Sequence, residues 1–172
     1  FLNIDPIKNE LIGYNACYFC MGVSAVGMPG EDYKRLTYDL TMHWANTLAG
    51  INPGMVFCYV SGEGTDSSES SRANWANVKG KTENEILKLP FKDSYMFRPG
   101  MIQPLKGVSP SSKVYRILIP LFKPLFPLVK AISKNSLTTS VNVGKAMIEV
   151  VLNGYEKKHL KNADINRLAA ER

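Results

Sequence analysis

A hydroxyl, an indole and an amine occur at a spacing that could hold a small polar ligand. Ser61 closes a short apolar run, and Trp75 and Lys79 follow it one helical turn apart. A serine hydroxyl and a lysine ammonium can both hydrogen-bond a hydroxylated ligand. The indole N–H of Trp75 donates a hydrogen bond but does not ionise, whereas a phenol could exchange protons if a nearby cation lowered its pKa. These residue types can therefore bind a polar ligand if the fold brings them together, and Trp75 cannot exchange protons with it.

The segments around these residues predict an α/β fold with a parallel sheet. Short apolar runs typical of buried strands occur at residues 16–21, 56–61 and 94–98. Apolar residues at helical spacing predict helices at residues 31–49, 72–89 and 141–153. The alternation of strands and helices favours parallel strands joined by helical connections. Ser61 would then lie at the carboxyl end of a strand, where open α/β sheets bind ligands.

Composition and charge narrow the class of protein. The 172 residues are 45% hydrophobic and 21% charged, as in an ordinary globular domain. The net charge of +6 is mildly basic. The dense basic cluster, Lys157–Lys161, predicts a solvated helix end rather than a nucleic-acid interface. With no apolar run near the ~20 residues of a membrane span and no visible signal peptide, we expect a cytoplasmic protein.

The cysteines and histidines do not predict a metal site. Cys17 and Cys20 form a C-x-x-C pair, but residues three apart on a strand point to opposite faces. This favours buried structural cysteines over a redox or metal pair. His43 and His159 have no partner at a metal-ligand spacing.

Five segments together resemble one known family: Cys20–Ser24, Tyr38–Thr41, Tyr59–Asp66, Trp75–Glu83 and Phe97–Gly100. They resemble atypical short-chain dehydrogenases/reductases of the NAD(P)-dependent epimerase/dehydratase-like type, with the tyrosine of Tyr-x-x-x-Lys replaced by Trp75. The resemblance runs from about Phe1 to Leu168. It implies a Rossmann-like three-layer fold with a parallel sheet, whose N-terminal strand, glycine loop and helix would lie upstream and be missing. It also implies that residues 1–110 belong to the dinucleotide-binding domain and 111–172 to a substrate-side helical region with the C-terminal helix.

The same resemblance implies NAD or NADP as the cofactor and a small-molecule substrate. The catalytic positions would be Ser61, Trp75 and Lys79. Ser61 would hydrogen-bond a substrate carbonyl or hydroxyl, and Lys79 would bind the nicotinamide ribose hydroxyls. The cofactor-binding residues would be Gly22, Asp39, Lys79, Pro99 and Gly100. Asp39 replaces the asparagine of many relatives and could be a counter-ion to Lys79.

Three alternatives stay open at this stage. Trp75 either fills the space of the tyrosine, with catalysis lost or altered, or leaves proton transfer to a neighbour among Tyr59, Tyr38, Asp66 and Glu63. The stripe of Trp75, Lys79 and Glu83 could line the cofactor or form an exposed ion pair beside a packed indole. The protein is either an NAD(P)-linked oxidoreductase or epimerase, or a non-catalytic dinucleotide-binding protein that senses redox state or pairs with a partner. A homo-oligomer is compatible with both functions.

The apolar segment 117–132 is interrupted by prolines, which argues against one continuous amphipathic helix. We expect short helices packed on the core. The lining of an apolar pocket and contact with a membrane surface are the alternatives.

Overall fold

The computed structural model of the protein describes residues 3–103 and 137–171. The strands are β1 (Ala16–Phe19), β2 (Val56–Val60), β3 (Asp93–Arg98), β4 (Met101–Gln103), β5 (Leu137–Thr139) and β6 (His159–Lys161). The α-helices are α1 (Gly30–Lys34), α2 (Leu40–Ile51), α3 (Asn74–Ile86), α4 (Ser140–Asn153) and α5 (Asn162–Ala170). A 3-10 helix, Asp5–Leu11, precedes β1, and a π turn, Arg35–Asp39, joins α1 to α2.

The main sheet has the strand order β1-β2-β3-β6. β1 runs parallel to β2, with Ala16 opposite Val56, and β2 runs parallel to β3, with Val56 opposite Asp93. The sheet is parallel and combines with helices into a Rossmann-like three-layer fold. The predicted α/β class and the parallel, adjacent arrangement of the first three strands are confirmed.

A continuous apolar core holds α2 and α3 against the first three strands. Its buried residues are Ile4, Phe19, Ala45, Leu48, Met55, Phe57, Tyr59, Ile86 and Met96. Phe19 stacks on Phe57 with ring centroids 5.9 Å apart. Full burial of such a side chain stabilises the fold by roughly 1.5–3 kcal/mol. The core therefore fixes α3, which carries Trp75 and Lys79, on the sheet.

Proline accounts for where the two long helices stop. α2 ends at Ile51, shortly before Pro53, and α3 ends at Ile86, shortly before Pro90. Proline lacks an amide hydrogen and disfavours helical backbone in the residue before it. The helix predicted over 31–49 extends from Gly30 to Ile51 and contains the π turn, which the sequence pattern did not indicate.

The helix end predicted at Lys157–Lys161 is wrong, although Lys157, Lys158 and Lys161 are exposed to solvent as expected. His159–Lys161 forms strand β6, and the carbonyl of Lys158 accepts a hydrogen bond of 2.7 Å from the amide of Met96. A three-residue strand has no detectable periodicity, so only its pairing with a distant segment reveals it.

Two compact units divide the described residues. The first covers the chain up to Arg98 together with Tyr155–His159, and the second covers the remainder. In the second unit β4 pairs with β5, and α4 packs on α5 around Val143, Met147 and Ile165. The predicted boundary at residue 110, and the short helices predicted for 117–132, lie outside the described residues. Within 3–103 and 137–171, no helix is both long and apolar enough to cross a membrane.

Gly80 lets α3 pack directly on the loop that follows β2. A Cβ atom at Gly80 would lie 1.8 Å from the carbonyl oxygen of Asp66. The same loop is held by a hydrogen bond of 3.1 Å from the Asp66 amide to the carbonyl of Ala76. The backbone of the loop therefore occupies the space of any larger residue at position 80.

Replacing Gly80 with Ala is expected to reduce the free energy of unfolding by about 1–3 kcal/mol or more, because loop and helix must separate. Gly50→Ala is the matched control, because Gly50 is also helical but a Cβ there meets no atom within 4 Å. It should leave stability unchanged or raise it by about 0.5–1 kcal/mol. Urea unfolding measures both variants, and equal stabilities would contradict the packing described.

Candidate functional site

Lys79 and Ser61 meet at the carboxyl edge of the main sheet. Ser61 directly follows β2, and its amide continues the ladder to β3 by donating to Phe97 O at 2.9 Å. Lys79 lies on α3, and its Nζ donates a hydrogen bond to the carbonyl oxygen of Ser61. This hydrogen bond directs the ammonium at the strand end, and the lysine is half-buried. This is the edge at which open α/β sheets bind ligands.

The hydroxyl of Ser61 points into the protein. Its Oγ donates to Glu83 Oε1 at 2.5 Å and lies 3.2 Å from the carbonyl oxygen of Phe97. Ser61 itself is only 4% exposed. A hydroxyl has one proton, and here the proton is used internally. In this arrangement Ser61 can only accept a hydrogen bond from a ligand.

Glu83 is the centre of a buried polar cluster. Its side chain is 0% exposed and pairs with Arg98, at the end of β3, whose Nε donates to Oε1 at 3.0 Å while Nη2 donates to Oε2. The same Nη2 also donates to the hydroxyl of Ser67 in the loop after β2. Nε2 of His159 is buried and lies 3.4 Å from Glu83 Oε2, within ion-pair range but outside hydrogen-bond geometry.

The cluster sets the ionisation of Glu83 and Lys79. Burial would raise the pKa of Glu83, but the nearby imidazole of His159, the guanidinium of Arg98 and the hydroxyl of Ser61 together hold it below the usual value for glutamate. Burial lowers the pKa of Lys79, and the charge of Glu83 acts in the opposite direction. Glu83 is therefore a stable carboxylate, and it partly offsets the cost of keeping Lys79 charged.

Trp75 packs against the loop that follows β2. A Cβ atom at Gly64 would lie 2.9 Å from the indole Cη2. Gly64 also has φ of +85°, in the left-handed region that favours glycine. The loop therefore passes close to the indole, which stands one helical turn before Lys79.

The structure places the other predicted site residues as follows. Gly22 is exposed after β1, and a Cβ there would meet no atom within 4 Å. Asp39 is exposed at the end of the π turn. Pro99 and Gly100 belong to the second unit, where Pro99 is buried and the amide of Gly100 donates to Asn162 Oδ1 at 3.1 Å.

The four residues considered as substitutes for the missing tyrosine differ in environment. Tyr59 is 1% exposed in the core, and burial raises its pKa. Burial also raises the pKa of Tyr38. Lys81 Nζ lies over the ring of Tyr38, 5.0 Å from its centroid. The side-chain hydrogen bond from Ser68 is the main cause of a lowered pKa at Asp66, which is held as a carboxylate. Glu63 is exposed.

Sequence reasoning missed the partners of Glu83. Glu83 is the third member of the stripe with Trp75 and Lys79, and an exposed ion pair is one interpretation of that stripe in the sequence. That interpretation is wrong for Glu83, which is fully buried and pairs with Arg98. Arg98 stood within a segment used for the resemblance, but no local spacing connects it to position 83.

Comparison with protein families and a search for metal sites add little. No family model matches this chain. Among the described residues, no group of three or more His, Cys, Asp or Glu could hold a metal ion. Cys17 is half-buried, whereas Cys20 is exposed beyond the end of β1, so the expectation of two buried cysteines is wrong for Cys20.

Arg98→Ala is expected to reduce the free energy of unfolding by about 3–5 kcal/mol, because it leaves a buried carboxylate without its cation. Arg35→Ala is the matched control, since Arg35 pairs with Asp32 at 3.3 Å on the surface. Exposed pairs of this kind contribute about 0–1 kcal/mol. Denaturant unfolding at neutral pH compares the two variants. A loss no larger for Arg98 than for Arg35 would contradict the role given to the buried pair.

Proposed function

We propose that this chain carries the nicotinamide-binding part of an NAD(P)-linked oxidoreductase or epimerase-like protein that acts on a small-molecule substrate. The observation that supports the proposal best is the hydrogen bond from Lys79 Nζ to Ser61 O at the carboxyl edge of the sheet. In the short-chain dehydrogenases that the sequence resembles, a lysine at this place binds the nicotinamide ribose. We also propose a cytoplasmic location, as the sequence analysis predicts.

The chemistry of Lys79 fits that task. An ammonium has three donors, and the contact with Ser61 O uses one of them. Two donors remain for the vicinal hydroxyls of a ribose. Gly22, exposed after the neighbouring strand β1, leaves main chain free to approach a ligand. These features support cofactor binding without requiring a proton-exchanging residue.

The second candidate is a non-catalytic dinucleotide-binding protein that senses redox state or pairs with a partner. Two observations favour it over an ordinary dehydrogenase. Trp75 cannot release a proton, and the proton of Ser61 is directed to Glu83 rather than outward. Binding would be retained in such a protein while the chemical step is slow.

Binding of NADH or NADPH by the intact protein tests the shared part of both candidates. Lys79→Met should weaken binding about tenfold or more, because it removes hydrogen bonds from a charged donor. Lys81→Met is the matched control, since Lys81 lies on the same helix but is exposed beside Tyr38. Fluorescence titration provides the dissociation constants. Absence of binding by the wild type, or an equal effect of the two variants, would refute the assignment of Lys79.

Trp75→Tyr separates the two candidates. A positioned acid–base group contributes about 10²–10⁴ in rate, so the wild type should be slow with carbonyl or alcohol substrates and the variant faster. Trp75→Phe is the control, because it offers an aromatic ring without a hydroxyl. NAD(P)H absorbance measures turnover. Rapid turnover by the wild type, lost on changing Tyr38 or Glu63, would instead show that another residue transfers the proton.

A further inference from the structure

We propose that Glu83 is a positioning residue of this site, because its carboxylate orients the Ser61 hydroxyl and supports the positive charge of Lys79. The inference rests on the proposed function only for the identity of the ligand. Its physical content, the coupling of Glu83 to Lys79 and Ser61, concerns contacts within the protein. It assigns to Glu83 a task that acts through its neighbours rather than by touching the ligand.

The carboxylate of Glu83 determines the direction of the Ser61 hydroxyl. An ionised carboxylate can only accept hydrogen bonds, so the contact of 2.5 Å between Ser61 Oγ and Glu83 Oε1 determines where the serine proton points. The guanidinium of Arg98 holds the same carboxylate by donating from Nε to Oε1 and from Nη2 to Oε2. Since Glu83 is 0% exposed, no water competes for its oxygens. The Ser61 hydroxyl can therefore accept a hydrogen bond from a ligand through its lone pairs, but it cannot donate one.

The negative charge of Glu83 also acts on Lys79. Glu83 stands one helical turn after Lys79 on α3, and its charge raises the pKa of Lys79 against the lowering caused by burial. Elements packed around α3 and Glu83 carry further ionisable groups, among them Asp32 in α1, Tyr38 and Asp39 in the π turn, His43 in α2, Tyr59 in β2, Arg98 in β3 and His159 in β6. Among all these groups, Glu83 is the carboxylate that favours the ammonium form of Lys79.

The coupling predicts a specific change in titration. Removing the charge of Glu83 takes away the contribution that raises the pKa of Lys79, so Lys79 should lose its proton at lower pH. In Glu83→Gln, the midpoint should fall by about one pH unit, the lower end of the range for a nearby opposite charge. Lysine-selective ¹³C NMR measures the midpoint, with the Lys79 signal assigned by its loss in Lys79→Arg. An unchanged midpoint in folded Glu83→Gln would overturn the proposal.

Glu85→Gln is the matched control for this titration. It makes the same change of charge on the same helix, but Glu85 is one-third exposed and pairs with Lys88 at 2.8 Å. The Lys79 midpoint should remain at the wild-type value. An equal fall in both variants would show a general effect of net charge and would also overturn the proposal.

If Glu83→Gln does not fold, a double variant tests the same coupling. The single variant leaves Arg98 buried without a counter-ion, whereas Glu83→Gln combined with Arg98→Met removes both charges, a change that buried pairs often tolerate. The Lys79 midpoint should fall in the double variant as well, because it too lacks the supporting carboxylate. A midpoint that stays at the wild-type value there would refute the proposal even if the single variant does not fold.

A binding experiment then connects the coupling to function. At a pH below both Lys79 midpoints, Glu83→Gln and wild type should bind NADH or NADPH with affinities that differ little. Above the midpoint of the variant, its binding should weaken relative to wild type, up to the factor of about ten that a midpoint difference of about one pH unit allows. In a Lys79→Arg background, which does not titrate, the pH-dependent difference should disappear; its persistence would overturn the coupling. Because the lysine titration needs no cofactor, failure of the wild type to bind would refute only the proposed function.

Discussion

The carboxylate of Glu83 is completely removed from water, and this burial constrains everything at the carboxyl edge of the sheet. Burying an ion costs several kcal/mol unless its partners replace the lost hydration. The replacement comes from the guanidinium of Arg98 and the hydroxyl of Ser61, and the imidazole of His159 lies nearby at 3.4 Å. These partners lie on or next to three strands, β2, β3 and β6. One charge on α3 therefore connects the helix to the ends of all three strands.

The loop after β2 is held by the same cluster and by close packing. Ser67 accepts a hydrogen bond from Arg98, and its carbonyl accepts one of 2.9 Å from Asn84 on α3. Gly80 brings the helix into contact with the loop backbone, and Gly64 brings the loop against Trp75. The contacts between the loop and α3 therefore determine the position of the indole. These contacts depend on the small residues Gly64 and Gly80 as much as on the charge of Arg98.

The candidate site presents a cation, and the indole at position 75 is not a proton carrier. Lys79 keeps its place at the strand end with the support of Glu83, and Ser61 keeps its place at the end of β2. Trp75 can donate a hydrogen bond but cannot exchange a proton, and the serine proton is committed to Glu83. The geometry therefore suits the binding of a polar ligand, and Trp75 and Ser61 provide no proton for exchange with it.

Sequence alone determined the parallel strands and the two long helices, because apolar periodicity and turn residues act locally, and the resemblance implied that Ser61 and Lys79 lie in one site. It could not determine β6, the π turn or the partner of Glu83. A three-residue strand such as His159–Lys161 exists only through pairing with a distant strand. Likewise, the stripe of Trp75, Lys79 and Glu83 looked the same whether exposed or buried. Only the tertiary structure decided that Glu83 is buried against Arg98, because desolvation depends on what packs around a side chain and not on its neighbours in sequence.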